Sequence, residues 1–154
     1  MTNAVLITGG AGYIGSHTVL ACRAAGHPVV VLDNLSKGRR ALVPADVPFV
    51  EGDVGDPMLL GRIFRDHRIS AVIHFAGDIV VPESVAAPLT YYQNNTCKSR
   101  TLLQACVDHG IERFVFSSTA AVYGQPATVP VNESAETRPV NPYGTSKLMV
   151  EWML

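Results

Sequence analysis

A glycine-rich segment near the start of the chain constrains the fold more than any other feature. A run of strand-forming residues, Ala4–Thr8, leads into Gly9-Gly10-Ala11-Gly12-Tyr13-Ile14-Gly15, and a helix-length segment follows. The segment can be read as GxxGxxG from Gly9 or as GxGxxG from Gly10. Such glycines permit a tight strand-to-helix turn, close approach of the backbone to a pyrophosphate, and close helix–strand packing. In this context the segment predicts a dinucleotide-binding βαβ unit, with an ordinary glycine-rich turn as the alternative.

Strand candidates alternate with helix-length segments along the rest of the chain, which is typical of a parallel sheet. The strands are almost continuously apolar, as expected of strands covered by helices on both faces. We predict one α/β domain over residues 1–154, a Rossmann-like doubly wound parallel sheet truncated after its last helix. The predicted strands are Ala4–Thr8, Val29–Leu32, Phe49–Glu51, Ala71–Phe75 and Arg113–Ser117. The predicted helices are Tyr13–Ala25, Pro57–Asp66, Val85–His109 and one from Pro142 to Leu154, with a long loop over Thr119–Asn141.

The last predicted helix ends on apolar residues, Trp152, Met153 and Leu154, without a glycine or a basic final turn. We expect further chain to cover these residues. The sequence is therefore expected to be the N-terminal part of a longer protein, whose second half is absent here.

Composition removes several classes of function. A net charge of −1 excludes a binder driven by electrostatic attraction to nucleic acid. The apolar runs are far shorter than the roughly 20 residues of a membrane span, so we expect no membrane partner. Three cysteines without a CxxC pair and the lack of a secretory signal predict a reduced, cytoplasmic chain. The five histidines are scattered, so no metal site is predicted.

Asp33 directly follows the second predicted strand, 18 residues after Gly15. A carboxylate about 20 residues beyond the glycine turn can accept hydrogen bonds from the adenosine ribose and would repel the 2′-phosphate of NADP. This favours NAD, although the basic residues Lys37, Arg39 and Arg40 keep NADP open. The other reading of Asp33-Asn34 is a turn pair. Asp53-Val54, after the third strand, is a weaker signal of the same kind.

Tyr143 and Lys147 are four residues apart on the last predicted helix, so they share one face. A phenol has an ordinary pKa near 10, and a neighbouring ammonium favours the phenolate. The pair can therefore form a general base that works near neutral pH, whereas the alternative is an ordinary surface pair. The hydroxyl residues Ser117, Ser118 and Thr119 follow a strand, where open α/β sheets bind ligands.

Five motifs in order resemble those of the extended short-chain dehydrogenase/reductase family. The two that carry the resemblance to the superfamily are Thr8–His17 and Asn141–Lys147. Three further stretches resemble its UDP-glucose 4-epimerase branch: Leu32–Ser36, His74–Gly77 and Phe116–Gly124. The resemblance covers residues 4 to 154.

The resemblance implies a role for each motif. Thr119 and Tyr143 would contact the sugar 4-hydroxyl, and Lys147 would hold the nicotinamide ribose and tune Tyr143. The catalytic set implied is Thr119, Tyr143 and Lys147. The NAD contacts implied are Gly9, Gly12, Tyr13, Ile14, Gly15, Asp33, Asn34, Asp53, Val54, Phe75, Ala76, Gly77, Asn94, Tyr143 and Lys147. Two positions depart from the family pattern, Thr119 in place of a frequent serine and Ile79 in place of a lysine found in some epimerases.

The reaction implied is the interconversion of UDP-glucose and UDP-galactose by transient oxidation at C4 of the sugar, which belongs to galactose metabolism. The partners implied are a UDP-hexose and, at full length, a second copy of the chain in a homodimer. A 4,6-dehydratase is disfavoured, because Ala120-Ala121 stand where an Asp-Glu pair typically transfers protons. A decarboxylase, a uronate epimerase or an NAD-binding module without turnover remain alternatives.

Overall fold

The computed structural model describes residues 3–154, which form two compact units. The first unit contains the chain up to Ala76 together with Thr101–Ser117. The second unit contains Gly77–Arg100 and Ser118–Leu154. Among the described residues, no helix is long and apolar enough to cross a membrane.

The first unit is built on a parallel sheet of five strands. The strands are β1 (Ala4–Thr8), β2 (Val29–Asp33), β3 (Phe49–Glu51), β4 (Ile69–His74) and β5 (Arg113–Phe116). Their order is β3-β2-β1-β4-β5, so the chain turns from one side of β1 to the other between β3 and β4. The carboxyl ends of β1 and β4 are the switch point at which such sheets bind ligands. This topology confirms the predicted Rossmann-like doubly wound sheet.

Helices alternate with the strands along the chain, and the last helix follows β5. They are α1 (Tyr13–Ala24), α2 (Pro57–His67), α3 (Val81–Ala86), α4 (Pro88–Tyr91), α5 (Lys98–Asp108) and α6 (Pro142–Glu151). A π-helical segment spans Tyr92–Cys97, and short 3-10 helices span Arg40–Leu42 and Ala120–Tyr123.

Both faces of the sheet are covered at β1, β2 and β4, as the apolar strands predicted, whereas Arg113 and Val115 of the edge strand β5 are exposed. On one face, Leu6 and Val72 pack with Leu60 of α2 and Leu102 of α5. On the other face, Ile7 and Val31 pack with Val19 of α1. Successive side chains of a strand point to opposite faces, so each central strand needs apolar residues at every position.

The predicted single helix Val85–His109 is wrong in its first half. Proline has no backbone N–H to donate and disfavours helical geometry in the residue before it. Accordingly, Ala87, which precedes Pro88, has φ −136° and ψ 64° and separates α3 from α4. The chain then passes through the π-helical segment before regular α-helix begins at Lys98.

The second unit packs α6 with α3, α4, the π-helical segment and the 3-10 helix Ala120–Tyr123. Helix α6 begins where it was predicted, because Asn141 accepts a hydrogen bond from the Gly144 N–H at 2.8 Å and Pro142 occupies the first turn. The helix ends at Glu151, three residues before the predicted Leu154. The predicted loop Thr119–Asn141 contains the 3-10 helix at its start.

Candidate active site

In the first unit, Gly9 and Gly15 are required by the packing of the turn itself. Gly9 has φ +70°, and a Cβ on it would lie 2.6 Å from the Ala76 N atom. A Cβ on Gly15 would lie 2.2 Å from the Gly9 carbonyl oxygen. Gly9 therefore allows the turn to contact the segment after β4 closely, and Gly15 allows α1 to contact the turn closely.

Gly12 differs from these two glycines. Its backbone has φ −80° and ψ 175°, which any residue can adopt, and the nearest atom to an added Cβ would be the Gly9 oxygen at 3.3 Å. Gly12 is the N-cap residue of α1 and has no side chain to cover the N–H groups of the first turn. The side chains that follow it, Tyr13 and Ile14, are exposed. The helix N-terminus is thus accessible for an anion such as a pyrophosphate.

Asp33 is buried at the end of β2, and both of its carboxylate oxygens accept backbone hydrogen bonds. Oδ2 accepts from the Ala11 N–H at 2.9 Å, and Oδ1 accepts from the Leu35 N–H at 2.8 Å. The carboxylate thus fastens the glycine turn to the end of β2. Each oxygen has a second lone pair, so the group can still accept from a ribose hydroxyl.

Three further residues implied as NAD contacts, Asn34, Asp53 and Val54, follow strands β2 and β3. Asn34 donates from Nδ2 to the Asp53 carboxylate at 3.2 Å, and its Oδ1 accepts from the Ser36 N–H. Asp53 also accepts from the Gly55 N–H at 2.8 Å. Val54 is buried in the apolar core. Asn34 and Asp53 are therefore joined directly, as a shared role would need.

Phe75 and Ala76 follow β4 and remain partly buried. The Phe75 N–H donates to the Thr8 carbonyl at 3.0 Å, and the Ala76 backbone lies against Gly9. The structure thus brings the glycine turn and the residues after β4 together within the first unit.

In the second unit, a buried asparagine organises the surroundings of Lys147. The Asn95 Nδ2 group donates to the Asp78 carbonyl and to Ser146 Oγ, each at 3.0 Å, and its Oδ1 accepts from the Asp78 N–H at 2.7 Å. A Cβ on Gly77 would lie 2.9 Å from Asn95 Oδ1 and 3.5 Å from Lys147 Nζ. Gly77 and Lys147 are therefore close neighbours.

Sequence reasoning chose Asn94 and missed Asn95. Asn94 is half-buried and donates to the Asp78 carboxylate at 2.7 Å, whereas Asn95 is 2% exposed. The signal that could have found Asn95 is the pair of adjacent asparagines inside a helical segment. If one of the two is buried, its amide must have hydrogen-bond partners. Asp78 links both, since its side chain binds Asn94 and its backbone binds Asn95.

Helix α6 presents the remaining candidate residues. Tyr143 is half-buried, and Lys147 lies one turn later and is 3% exposed. Burial lowers the pKa of Lys147 from its ordinary 10.5 to about 8, because desolvation disfavours the ammonium.

Thr119 begins the 3-10 helix that packs against α6. Its Oγ1 accepts a hydrogen bond from the Ala121 N–H at 3.2 Å, which leaves the hydroxyl hydrogen available for donation. A Cβ on Gly144 would lie 2.6 Å from the Ala121 oxygen, so the first turn of α6 contacts this segment closely. At the other end of α6, Ser118 donates a hydrogen bond to Glu151. The structure thus places Thr119 and the Tyr143–Lys147 pair on neighbouring segments.

Comparisons with known proteins show the family of the chain. Residues 5–154 match the NAD dependent epimerase/dehydratase family. The UDP-glucose 4-epimerase of Azospirillum brasilense is 63% identical over 150 residues, which cover 97% of this chain and 43% of that protein. The enzyme of the same name from Halalkalibacterium halodurans is 51% identical over 150 residues, with 97% and 45% covered.

Solved structures of UDP-glucose 4-epimerases also superpose on this chain. The UDP-glucose 4-epimerase from Brucella ovis in complex with NAD superposes with a TM-score of 0.96 at 43% identity, covering 99% of this chain and 47% of that one. The UDP-glucose 4-epimerase from Bifidobacterium longum in complex with NAD+ and UDP superposes with a TM-score of 0.94 at 39% identity, covering 98% and 48%. The chain therefore spans about half the length of the relatives it matches.

Proposed function

We propose that this chain, which belongs to the NAD dependent epimerase/dehydratase family, supplies the cofactor site and the catalytic groups of a UDP-glucose 4-epimerase. The substrate would be a UDP-hexose, interconverted between its glucose and galactose forms by transient oxidation at C4. One observation carries the proposal: α6 bears Tyr143 one turn from the buried Lys147, and the Thr119 segment packs against the same helix.

The residues present fit NAD, the cofactor of the family. The uncovered N-terminus of α1 at Gly12 suits the pyrophosphate, and the free lone pairs of Asp33 suit the adenosine ribose. When bound, NAD supplies the group that accepts a hydride and returns it. Asn34, Asp53, Phe75 and Gly77 are further contacts in this proposal, together with Tyr13, Ile14, Val54, Ala76 and Asn94.

The side chains of the second unit would handle the proton. Tyr143 would take the proton of the sugar 4-hydroxyl and return it after the sugar has turned over. A lysine with a pKa of about 8 is still mostly protonated at neutral pH, so the Lys147 ammonium can stabilise the phenolate charge. Thr119, whose cap bond uses only a lone pair, can donate its hydroxyl hydrogen to the sugar oxygen. These three groups would orient the substrate and move one proton.

Related reactions and a binding-only role are the competing functions. Ala120 and Ala121 cannot transfer protons, which argues against a 4,6-dehydratase. The groups that recognise C6 of the sugar would distinguish a 4-epimerase from a decarboxylase or a uronate epimerase. A chain that binds NAD without turnover is the second candidate, because the chain spans about half the length of its relatives. The cytoplasmic location and the homodimer stay predictions.

Calorimetric titration with NAD and a coupled UDP-galactose assay test the proposal on the same preparation. We expect NAD binding in the wild type and in Tyr143→Phe, because the phenyl ring keeps the packing and removes only the hydroxyl. Where turnover is measured, Tyr143→Phe should lose about 10²–10⁴-fold in kcat, the usual contribution of a general base. Binding without turnover would favour the binding-only role, and a lack of NAD binding by the wild type would contradict both.

A further inference from the structure

One buried polar pair in the first unit is not used by the proposed reaction. Thr8 Oγ1 and His74 Nδ1 form a hydrogen bond of 2.6 Å, and the two side chains are 0% and 1% exposed. The His74 ring is stacked on Phe116 with its centroid at 5.7 Å, and Phe114 lies at 6.0 Å. The bond is therefore buried, and the neighbouring aromatic rings confine the His74 ring.

The position of this pair gives it a purpose. Thr8 is the last residue of β1 and directly precedes Gly9, whereas His74 is the last residue of β4 and directly precedes Phe75. The backbones also meet here, since the Phe75 N–H donates to the Thr8 carbonyl at 3.0 Å. The side-chain bond thus joins the bases of two segments, the glycine turn and Phe75-Ala76.

The separation of these two segments has little tolerance. A Cβ on Gly9 would lie 2.6 Å from the Ala76 N atom and 2.9 Å from the Phe75 carbonyl carbon, so the backbones are already in close contact. Two apolar side chains could fill the same space but would not fix a distance and an angle, because apolar packing is non-directional. A hydrogen bond does both.

We propose that Thr8 and His74 are positioning residues for the cofactor, holding the glycine turn and Phe75-Ala76 at the separation that the dinucleotide needs. The inference rests on the proposed NAD site. Neither residue needs to touch the cofactor, because each acts through the residue that follows it. Losing the bond should affect a ligand that spans both segments more than a ligand that reaches only the Asp33 side.

Two matched pairs of proteins isolate the hydroxyl. In the first pair, wild type and Thr8→Val, the side chains have nearly the same shape, and only the wild type has the hydroxyl. In the second pair, Thr8→Ser and Thr8→Ala, both side chains lack the threonine methyl group, and only Thr8→Ser has the hydroxyl. The ligands are NAD and AMP, of which AMP carries only the adenosine part and one phosphate. Calorimetry gives both dissociation constants, and thermal melts report the fold of each protein.

We expect the variants without the hydroxyl to bind NAD at least about fivefold more weakly than their hydroxyl-bearing partners, the loss that an ordinary buried hydrogen bond gives. AMP affinity should stay unchanged, and Thr8→Ser should keep most of the NAD affinity.

Equal NAD affinity across a pair would overturn the proposal, as would a parallel loss of AMP and NAD affinity. Folding of Thr8→Ser but of neither hydroxyl-free variant would show a folding role and overturn it too. A wild type that does not bind NAD would remove the proposed function and this inference together, which separates that failure from the others.

Discussion

At the residue scale, the glycines of the turn have different tasks. Gly12→Ala should leave the melting temperature within a few degrees, because its backbone is ordinary and its added Cβ meets only the Gly9 oxygen at 3.3 Å. The same methyl group would stand at the helix N-terminus where the pyrophosphate should approach, so we expect NAD affinity to fall more than about tenfold. Calorimetry and thermal melts measure the two effects.

Gly15→Ala is the matched control for this prediction. Its Cβ would lie 2.2 Å from the Gly9 oxygen, so this variant should lose stability first and NAD binding only as a consequence. Steric strain of this kind typically costs about 1–3 kcal/mol. Unchanged NAD affinity in a folded Gly12→Ala variant would contradict the role of Gly12.

Sequence spacing could predict the turn, but it could not show which glycines are needed for packing and which for the ligand. The packing role of Gly9 depends on the backbone of Phe75 and Ala76, which is distant along the chain, and that of Gly15 depends on how closely α1 approaches the Gly9 oxygen. The role of Asp33 could not be decided from the sequence either, which allowed both a ribose ligand and a turn residue at this position. Its carboxylate accepts the Leu35 N–H as a turn residue does, and also the Ala11 N–H of the glycine turn.

At the element scale, α6 holds a group whose protonation is coupled to folding. Burial lowers the pKa of Lys147 from 10.5 to about 8, so between these pH values the unfolded chain binds more protons than the folded one. The cost of burying the ammonium is complete below about pH 8 and disappears towards pH 10.5. The Lys147 contribution to the free energy of unfolding should therefore rise with pH across this window, by at most about 1.4 kcal/mol per pH unit.

Lys147→Met is the reference protein for that measurement. Urea unfolding of both proteins across this window gives the difference in stability, which should change in favour of the wild type as pH rises. Burial raises the pKa of Cys22 and Cys106 and so opposes the trend at high pH, but it does so in both proteins and cancels. A difference that stays constant with pH would mean that Lys147 is not desolvated in the folded chain.

The helical elements also show where a periodic pattern loses its predictive power. The apolar spacing after Val85 is compatible with one long helix, but Pro88 interrupts it and Ala87 leaves helical geometry. The wider turn of the π-helical segment contains both Asn94 and Asn95, and Asn95 is directed to partners 17 and 51 residues away in the sequence. A pattern read within one helix cannot include such partners.

At the scale of the whole molecule, the question is which apolar surface is left for assembly. Leu102 and Cys106 of α5 are buried in the core of the first unit and therefore offer no surface for association. Leu89 and Val85, in the second unit, are 79% and 63% exposed. If the predicted homodimer forms through α3 and α4, Leu89 should be among the residues that become buried on association.

Leu89→Glu tests this prediction, and Met58→Glu is its control. Met58 is 82% exposed on α2 of the first unit, so the two substitutions place the same charge on equally exposed apolar residues. A leucine-sized side chain contributes about 1.5–3 kcal/mol when buried, and a two-fold interface uses each residue twice. We therefore expect Leu89→Glu to raise the dimer dissociation constant at least about a hundredfold. In a full-length version of the protein, sedimentation equilibrium should show the dimer in the wild type and in Met58→Glu and a monomer in Leu89→Glu, with a cooperative thermal melt for both variants. Equal masses for all three proteins would place the assembly surface elsewhere, because an interface that buries Leu89 cannot accept an unpaired carboxylate without loss.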